Sequence, residues 1–285
     1  MNAVAIETAQ TKLTSDDFSR IANLIGEKVG IKLPPQKRLM VEGRLRKRMR
    51  QCGRPDLRSY CHYLFEEGGL DRELTQLIDV ITTNKTDFFR EPHHYELLER
   101  SLVPEILAKR NTLRPKLKIW SAASSSGAEA YTAAMVLSDM ARQRQDFAFC
   151  ILGTDISTAM LDNARRAIYP TEMIAPVPKA MQQRYLMRGT GKRHNEVRIV
   201  PELRRVVHFR QMNLMDRKYP VDQDVDVIFL RNVLIYFEKR DQEAVVARML
   251  SHLRPEGYLL LGHSESMAAA GAPVRQIGPS VFQKI

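Results

Sequence analysis

Long apolar runs are missing from this 285-residue chain. No stretch approaches the roughly 18 residues that a membrane-crossing helix needs, so no span is expected. The opening residues, 1–17, show no basic segment followed by an apolar one, and no secretory leader is expected there. Cysteine is scarce. Cys52, Cys61 and Cys150 are odd in number, with no C-x-x-C among them and no histidine pair nearby. They read as reduced thiols of a cytoplasmic protein, not as a disulfide or zinc framework. Adjacent His93 and His94 are expected to point in different directions on a helix, and no metal is expected. Also absent are the G-x-G-x-x-G of dinucleotide sites, the lysine of a phosphate-gripping P-loop, internal repeats and low-complexity tails.

The apolar share, 44 %, is ample for a core, and the length fits one large domain with a smaller one. Residues 15–83 show apolar residues at i, i+3, i+4 in four short stretches, which implies a helical domain. Ser15 is expected to cap the first helix and Gly30 to close it; Gly53 closes the second. From residue 116 the pattern changes to strands alternating with helices, implying a parallel sheet. Strands are expected at 117–120, 149–153, 206–211, 225–230 and 258–262, with VFQKI closing the chain. The long connection 156–205 carries a turn-rich stretch and is expected to hold a small β-subdomain.

The most informative segment is PKLKIWSAASSSGAEAY, where a strand runs into seven small residues, Ser121 to Gly127, and then a helix carrying Glu129. Such a turn lets a nucleotide-like ligand approach the backbone and the helix N-terminus. A carboxylate at its mouth disfavours a pyrophosphate, whereas S-adenosylmethionine, with its sulfonium and amino-acid end, fits. The other strand ends agree. Asp155 can accept ribose hydroxyls, Asn213 with Leu214 suits an adenine, and Arg231-Asn232 follow the fourth strand. Each alone also reads as a cap or turn residue. TNKTDFFR (83–90) reads either as a lid over the ligand or as a linker whose phenylalanines fill an interdomain seam. Tyr236 reads as core or as an active-site hydroxyl.

Charge is concentrated. Between Lys37 and Arg58 stand nine basic residues against Glu42 and Asp56. A solvated face, docking of an acidic protein and nucleic-acid binding all remain open for this patch. No aromatic residues interleave with residues 44–50, which weakens base stacking as a use.

Taken together, TTNKTDFFREPHHYELL, WSAASSSGAEAY, GTDIS, the MRGTG turn, FLRNVLIYF and GYLLLGHSES resemble the chemotaxis receptor methyltransferases, the CheR family of protein-glutamate O-methyltransferases. The likeness runs from about residue 15 to the end. It implies a Rossmann-like class I methyltransferase domain: a mostly parallel seven-stranded sheet with helices on both faces, a β-subdomain insertion and an N-terminal all-helical domain. The divisions expected are a helical domain at 1–82, a linker with lead-in helices at 83–115 and the cofactor-binding domain at 116–285, with the insertion at about 170–208. By the same likeness Asn84, Thr86, Arg90, Glu129, Asp155, Asn213, Leu214, Arg231 and Asn232 hold S-adenosylmethionine, and Arg90 and Tyr236 lie near the transferred methyl. Arg44, Lys47 and Arg48 would dock on the acidic methylation helices of a chemoreceptor, and the turn at Gly189 and Gly191 on a receptor's C-terminal tail peptide. The protein would be a cytoplasmic monomer recruited to receptor arrays, leaving S-adenosylhomocysteine as product. The family's G-E-E-P-Y reads Gly127-Ala128-Glu129-Ala130-Tyr131 here, so one acid is lost, and loss of the proline is expected to loosen the loop. Two rival readings stand beside this one. A nucleic-acid methyltransferase would suit the basic patch, yet lacks the usual [N/D]-P-P-[Y/F] run after the fourth strand. A catalytically weak, cofactor-holding docking module is the other.

Overall fold

The computed structural model describes residues 12–285; residues 1–11, most of the segment read as carrying no leader, lie outside them. The chain divides into two compact units. One runs up to Thr83 and includes Tyr236–Glu238; the other comprises Asn84–Ile235 and Lys239–Ile285.

The helical unit contains α1 (Ser15–Val29), α2 (Arg38–Gln51), α3 (Leu57–Phe65) and α4 (Leu70–Ile81). The first cap lies one residue before the expected one: Thr14, with extended backbone, accepts the Asp17 N–H at 3.0 Å, and Ser15 is already helical. Thr14 stands three residues before that N–H, the distance at which a cap oxygen reaches back. Gly30 ends α1 in the left-handed region at φ 74°, where glycine bears no Cβ penalty. Apolar stripes form the core: Phe18, Ile21 and Ile25 from α1, Val41, Leu45 and Met49 from α2, Leu57, Tyr60 and Leu64 from α3, Leu77 and Ile81 from α4.

The second unit is built on β1 (Lys116–Ala122), β2 (Ala148–Asp155), β6 (Val207–Gln211), β7 (Val225–Leu230), β8 (Leu253–Leu261), β9 (Val274–Gly278) and β10 (Val281–Lys284). Their order is β6-β2-β1-β7-β8-β10-β9, parallel except where β10 runs against β8 and β9. Every residue of β7 is buried, so the sheet is covered on both faces. The chain lays down β1, β2 and β6 in one direction and then returns to place β7 on the other side of β1. This reversal opens a crevice beyond the carboxyl ends of β1 and β7, where ligands of such sheets bind. A separate antiparallel sheet, β3 (Ile168–Pro170), β5 (Glu196–Ile199) and β4 (Leu186–Arg188), lies within the long connection between β2 and β6.

Three helices matter for the site: α5 (His93–Leu97), α7 (Ala128–Arg144) and α8 (Thr158–Arg166), with α6 (Val103–Ala108) between the first two. Ala128, Ala130, Ala133 and Ala134 of α7 are buried, and small side chains there bring the helix close to the sheet. Gly127, at φ 86°, begins that helix, and a Cβ on it would come within 2.9 Å of the Phe209 ring. Glycine here serves the turn and helix–strand packing. No described helix is long and apolar enough to cross a membrane.

Candidate active site

The turn after β1 is held in an unusual backbone shape. Ala123, Ser125 and Gly127 all have positive φ, a conformation disfavoured for the first two. Three contacts pin it. The Ser125 N–H donates to Asp155 Oδ2 at 2.8 Å, Ser125 Oγ donates to the Asn84 carbonyl at 2.7 Å, and the Tyr169 hydroxyl donates to the Ser126 carbonyl at 2.7 Å. The loosening expected from the missing proline is therefore opposed by bonds from three other segments.

Asp155 ends β2, as its position predicts, and is buried. Its second oxygen accepts the Ser157 N–H at 2.9 Å, while Ser157 itself caps α8 through the Met160 N–H. Asp155 thus ties the turn after β1 to the end of β2. Asn213 and Leu214 lie in the turn beyond β6, which ends at Gln211 as the pattern implies. Asn213 Oδ1 accepts the Met215 N–H at 3.0 Å, and the Leu214 carbonyl is fixed by Tyr219 and Arg248.

The centre of the arrangement is Arg231, which follows β7 with a side chain 1 % exposed. Its guanidinium donates to Glu129 Oε2 at 3.1 Å, to the Tyr95 hydroxyl at 3.2 Å and to the Arg90 carbonyl, and lies 3.3 Å from Glu91 Oε2. Glu129 also accepts from Ser121 Oγ at 2.7 Å. Burial pushes the Glu129 carboxyl up from its ordinary range, opposed chiefly by Arg231. Burial works the same way on Glu91, but there Arg231 and the Asn232 amide prevail and the carboxyl is held low. Arg231 is therefore enclosed by Glu129, Glu91, Tyr95 and the Arg90 carbonyl.

Asn232 has φ 59° and is held there by Glu265, whose Oε2 accepts its N–H at 2.7 Å and that of Gly262 at 2.8 Å. Glu265 Oε1 accepts the Ile235 N–H at 3.3 Å. A Cβ on Gly262 would sit 2.5 Å from Glu265 Oε2, so only glycine fits beside this clamp. Neither Glu91 nor Glu265 is among the expected site residues. Each lies inside a quoted motif, FFRE and GHSES, which is the signal that marks them.

Arg90 sits between Phe89 and Glu91, both at positive φ. Such strain is held only where surroundings impose it, and here Arg231 grips the intervening carbonyl. The Arg90 side chain reaches the Lys85 carbonyl at 3.3 Å, and Thr86 is half-buried in the same segment. Phe88 is fully buried with its ring 4.9 Å from Tyr169, and Phe89 packs 5.6 Å from Tyr95, both in the core of the α/β unit. His93 and His94 do not diverge: their rings lie 4.1 Å apart, and His93 stacks on His263 at 4.7 Å. The short α5 and the strained residues before it turn both rings to one side. Among the described residues no group of three or more potential ligands is placed to hold a metal.

Tyr236 is half-buried and belongs to the helical unit. Its carbonyl accepts the Lys32 N–H at 2.8 Å, and the Lys37 ammonium lies 5.1 Å from its ring. In that unit the basic helix α2 is less free than its composition implies. Arg48 makes a two-pronged pair with buried Glu73 at 2.6 and 2.7 Å, which raises the Arg48 pKa and lowers that of Glu73. Arg44 bonds the carbonyls of Ile81 and Thr82, at the end of α4. Lys47 and Arg50 are exposed. In the small sheet, the Gly189 N–H donates to the Glu196 carbonyl at 2.9 Å, and Gly191 takes a left-handed turn at φ 57°.

The strand order, the switch point between β1 and β7 and the acidic residues gathered there define a Rossmann-like domain of the class I methyltransferase kind. Residues 16–82 match the model of the CheR methyltransferase all-alpha domain, and residues 84–281 that of the CheR methyltransferase SAM binding domain. The chain belongs to the CheR methyltransferase family. It is 38 % identical over 270 residues to chemotaxis protein methyltransferase 2 of Pseudomonas aeruginosa, covering 94 % of this chain and 93 % of that one. To the chemotaxis protein methyltransferase of Borreliella burgdorferi it is 35 % identical over 274 residues, 95 % of each. To that of Escherichia coli it is 37 % identical over 261 residues, 92 % of this chain and 88 % of the other.

Proposed function

We propose that this chain methylates glutamate side chains on the cytoplasmic helices of a chemoreceptor, from S-adenosylmethionine, leaving glutamate methyl esters and S-adenosylhomocysteine. The observation that carries the reading is the pair of acidic groups beyond two adjacent parallel strands, Asp155 as the last residue of β2 and Glu129 in the first turn of the helix that follows β1. Their chemistry fits the ligand: a carboxylate suits the ribose diol, and an anion beside a helix start suits an ammonium. When bound, the cofactor supplies a methyl on a positively charged sulfur.

The chain's own residues then have divided tasks. Asp155 accepts from the ribose and Glu129 from the amino group, while Asn213 and Leu214 border the adenine. Asn84, Thr86 and Asn232 line the same ligand. A substrate glutamate with a pKa near about 4.3 is already ionised at neutral pH, so no base has to take a proton. Orientation and partial desolvation of the carboxylate carry the rate. Arg90 holds that carboxylate in line, and the Tyr236 hydroxyl shapes the approach. Lys47, with neighbouring Arg50, faces the acidic receptor helix; Arg44 and Arg48 support α2 from within. The Gly189–Gly191 turn offers the small sheet to a receptor's tail peptide. The protein acts as a monomer in the cytoplasm, at receptor arrays.

Incubation with S-adenosyl-[methyl-³H]methionine and receptor-enriched membranes, or RNA, tests this. Label on receptor protein that alkali releases as methanol is expected. Label on RNA would support a nucleic-acid enzyme instead, and no label on either would support a non-catalytic docking module.

A further inference from the structure

Glu129 faces Arg231 at 3.1 Å, and a carboxylate paired one-to-one with a guanidinium has little charge left to attract an ammonium. The Arg90 guanidinium adds positive potential at the same carboxyl. Glu91 changes this balance. Its side chain is 11 % exposed, and Oε2 lies 3.3 Å from Arg231 Nη2, on the other amino group of the same guanidinium. Its other oxygen, Oε1, accepts from Asn232 Nδ2 at 3.2 Å. The imidazole nearest it, His94, with Nδ1 3.4 Å from Oε2, is fully buried, and burial pushes its pKa down to about 3, so it carries no charge to oppose Glu91 near neutral pH. His93 and His263 stack beyond it.

We infer that Glu91 is a positioning residue for cofactor binding: as second counter-ion to Arg231, it leaves Glu129 with net negative charge for the cofactor's ammonium. This rests on the S-adenosylmethionine reading above. The cluster of two carboxylates and one guanidinium carries a net charge of about minus one, whereas without Glu91 it is neutral. Glu91 also secures the Arg90 segment to the end of β7, because Arg231 holds the Arg90 carbonyl and Glu91 holds Asn232. An electrostatic role and a merely mechanical one differ in which part of the ligand feels the change.

Calorimetric titration of the full chain with S-adenosylhomocysteine and with 5′-methylthioadenosine separates them, since the second ligand lacks the amino-acid end. Glu91→Gln keeps the size and an acceptor for Asn232 but removes the charge. It is expected to weaken S-adenosylhomocysteine binding by about tenfold while leaving 5′-methylthioadenosine within about twofold. Glu91→Asp, which keeps the charge, should bind both within about threefold of wild type. Equal weakening of both ligands by Glu91→Gln, or of neither while wild type binds S-adenosylhomocysteine, overturns the inference. Should Glu91→Gln fail to fold, selective loss of S-adenosylhomocysteine binding in Glu91→Asp overturns it as well. Wild-type protein that binds neither ligand removes the cofactor reading itself.

Discussion

Replacing Arg90 by alanine is expected to lower receptor methylation by about a hundredfold or more while leaving the melting temperature nearly unchanged. The two halves of this expectation come from different atoms of one residue. Structurally, the Arg90 backbone matters, because its carbonyl accepts from buried Arg231, and alanine retains that carbonyl. The side chain gives the fold a single long hydrogen bond, 3.3 Å to the Lys85 carbonyl, which contributes little. Its proposed work is instead to hold an incoming carboxylate in line, where misplacement by an ångström costs orders of magnitude. Turnover near wild type in the alanine variant would remove Arg90 from the mechanism. A fall in melting temperature matching the loss of activity would make its role structural.

Arg231→Met should be the most destabilising change at the site, by about 3–5 kcal/mol, because it strips the shared cation from two buried carboxylates. At about 2–4 °C per kcal/mol for a unit of this size, melting should fall by roughly 10 °C. The deficit should also depend on pH. Burial already pushes Glu129 up, and with the cation gone its folded-state pKa rises further above the unfolded one. A carboxyl with a raised folded pKa costs stability above that pKa and regains it when protonated. The variant should therefore lie closer to wild type at pH 5 than at pH 8. A deficit that is constant over that range would mean the two carboxylates do not depend on Arg231.

The α/β pattern was legible because β1, β2, β7 and β8 are covered on both faces or nearly so, and bury apolar runs that any reading notices. By contrast β9, with Arg275 and Gln276 exposed and little apolar burial, leaves no such trace at the sheet's edge. Strand ends pointed to Asp155 and Glu129 because a polar residue after an apolar run is a local signal. Glu91 and Glu265 are set by partners far along the chain: Arg231 and Asn232 lie about 140 residues beyond Glu91. Spacing alone does not encode such pairing. The same limit explains Arg44 and Arg48. Their charge is plain in the sequence, but Glu73, 25 residues on, pairs with Arg48 through two hydrogen bonds that spacing does not announce. For Phe88 and Phe89 the spacing leaves lid and linker equally open, because nothing in their neighbourhood names Tyr169 and Tyr95 as their packing partners.

A crystal structure of the full chain with S-adenosylhomocysteine tests most directly whether these strand ends form the cofactor site. The ribose hydroxyls should lie within about 3.2 Å of the Asp155 carboxylate and the ligand's amino group within the same reach of Glu129. Ligand bound elsewhere, with Asp155 and Glu129 still facing only their protein partners, would contradict it.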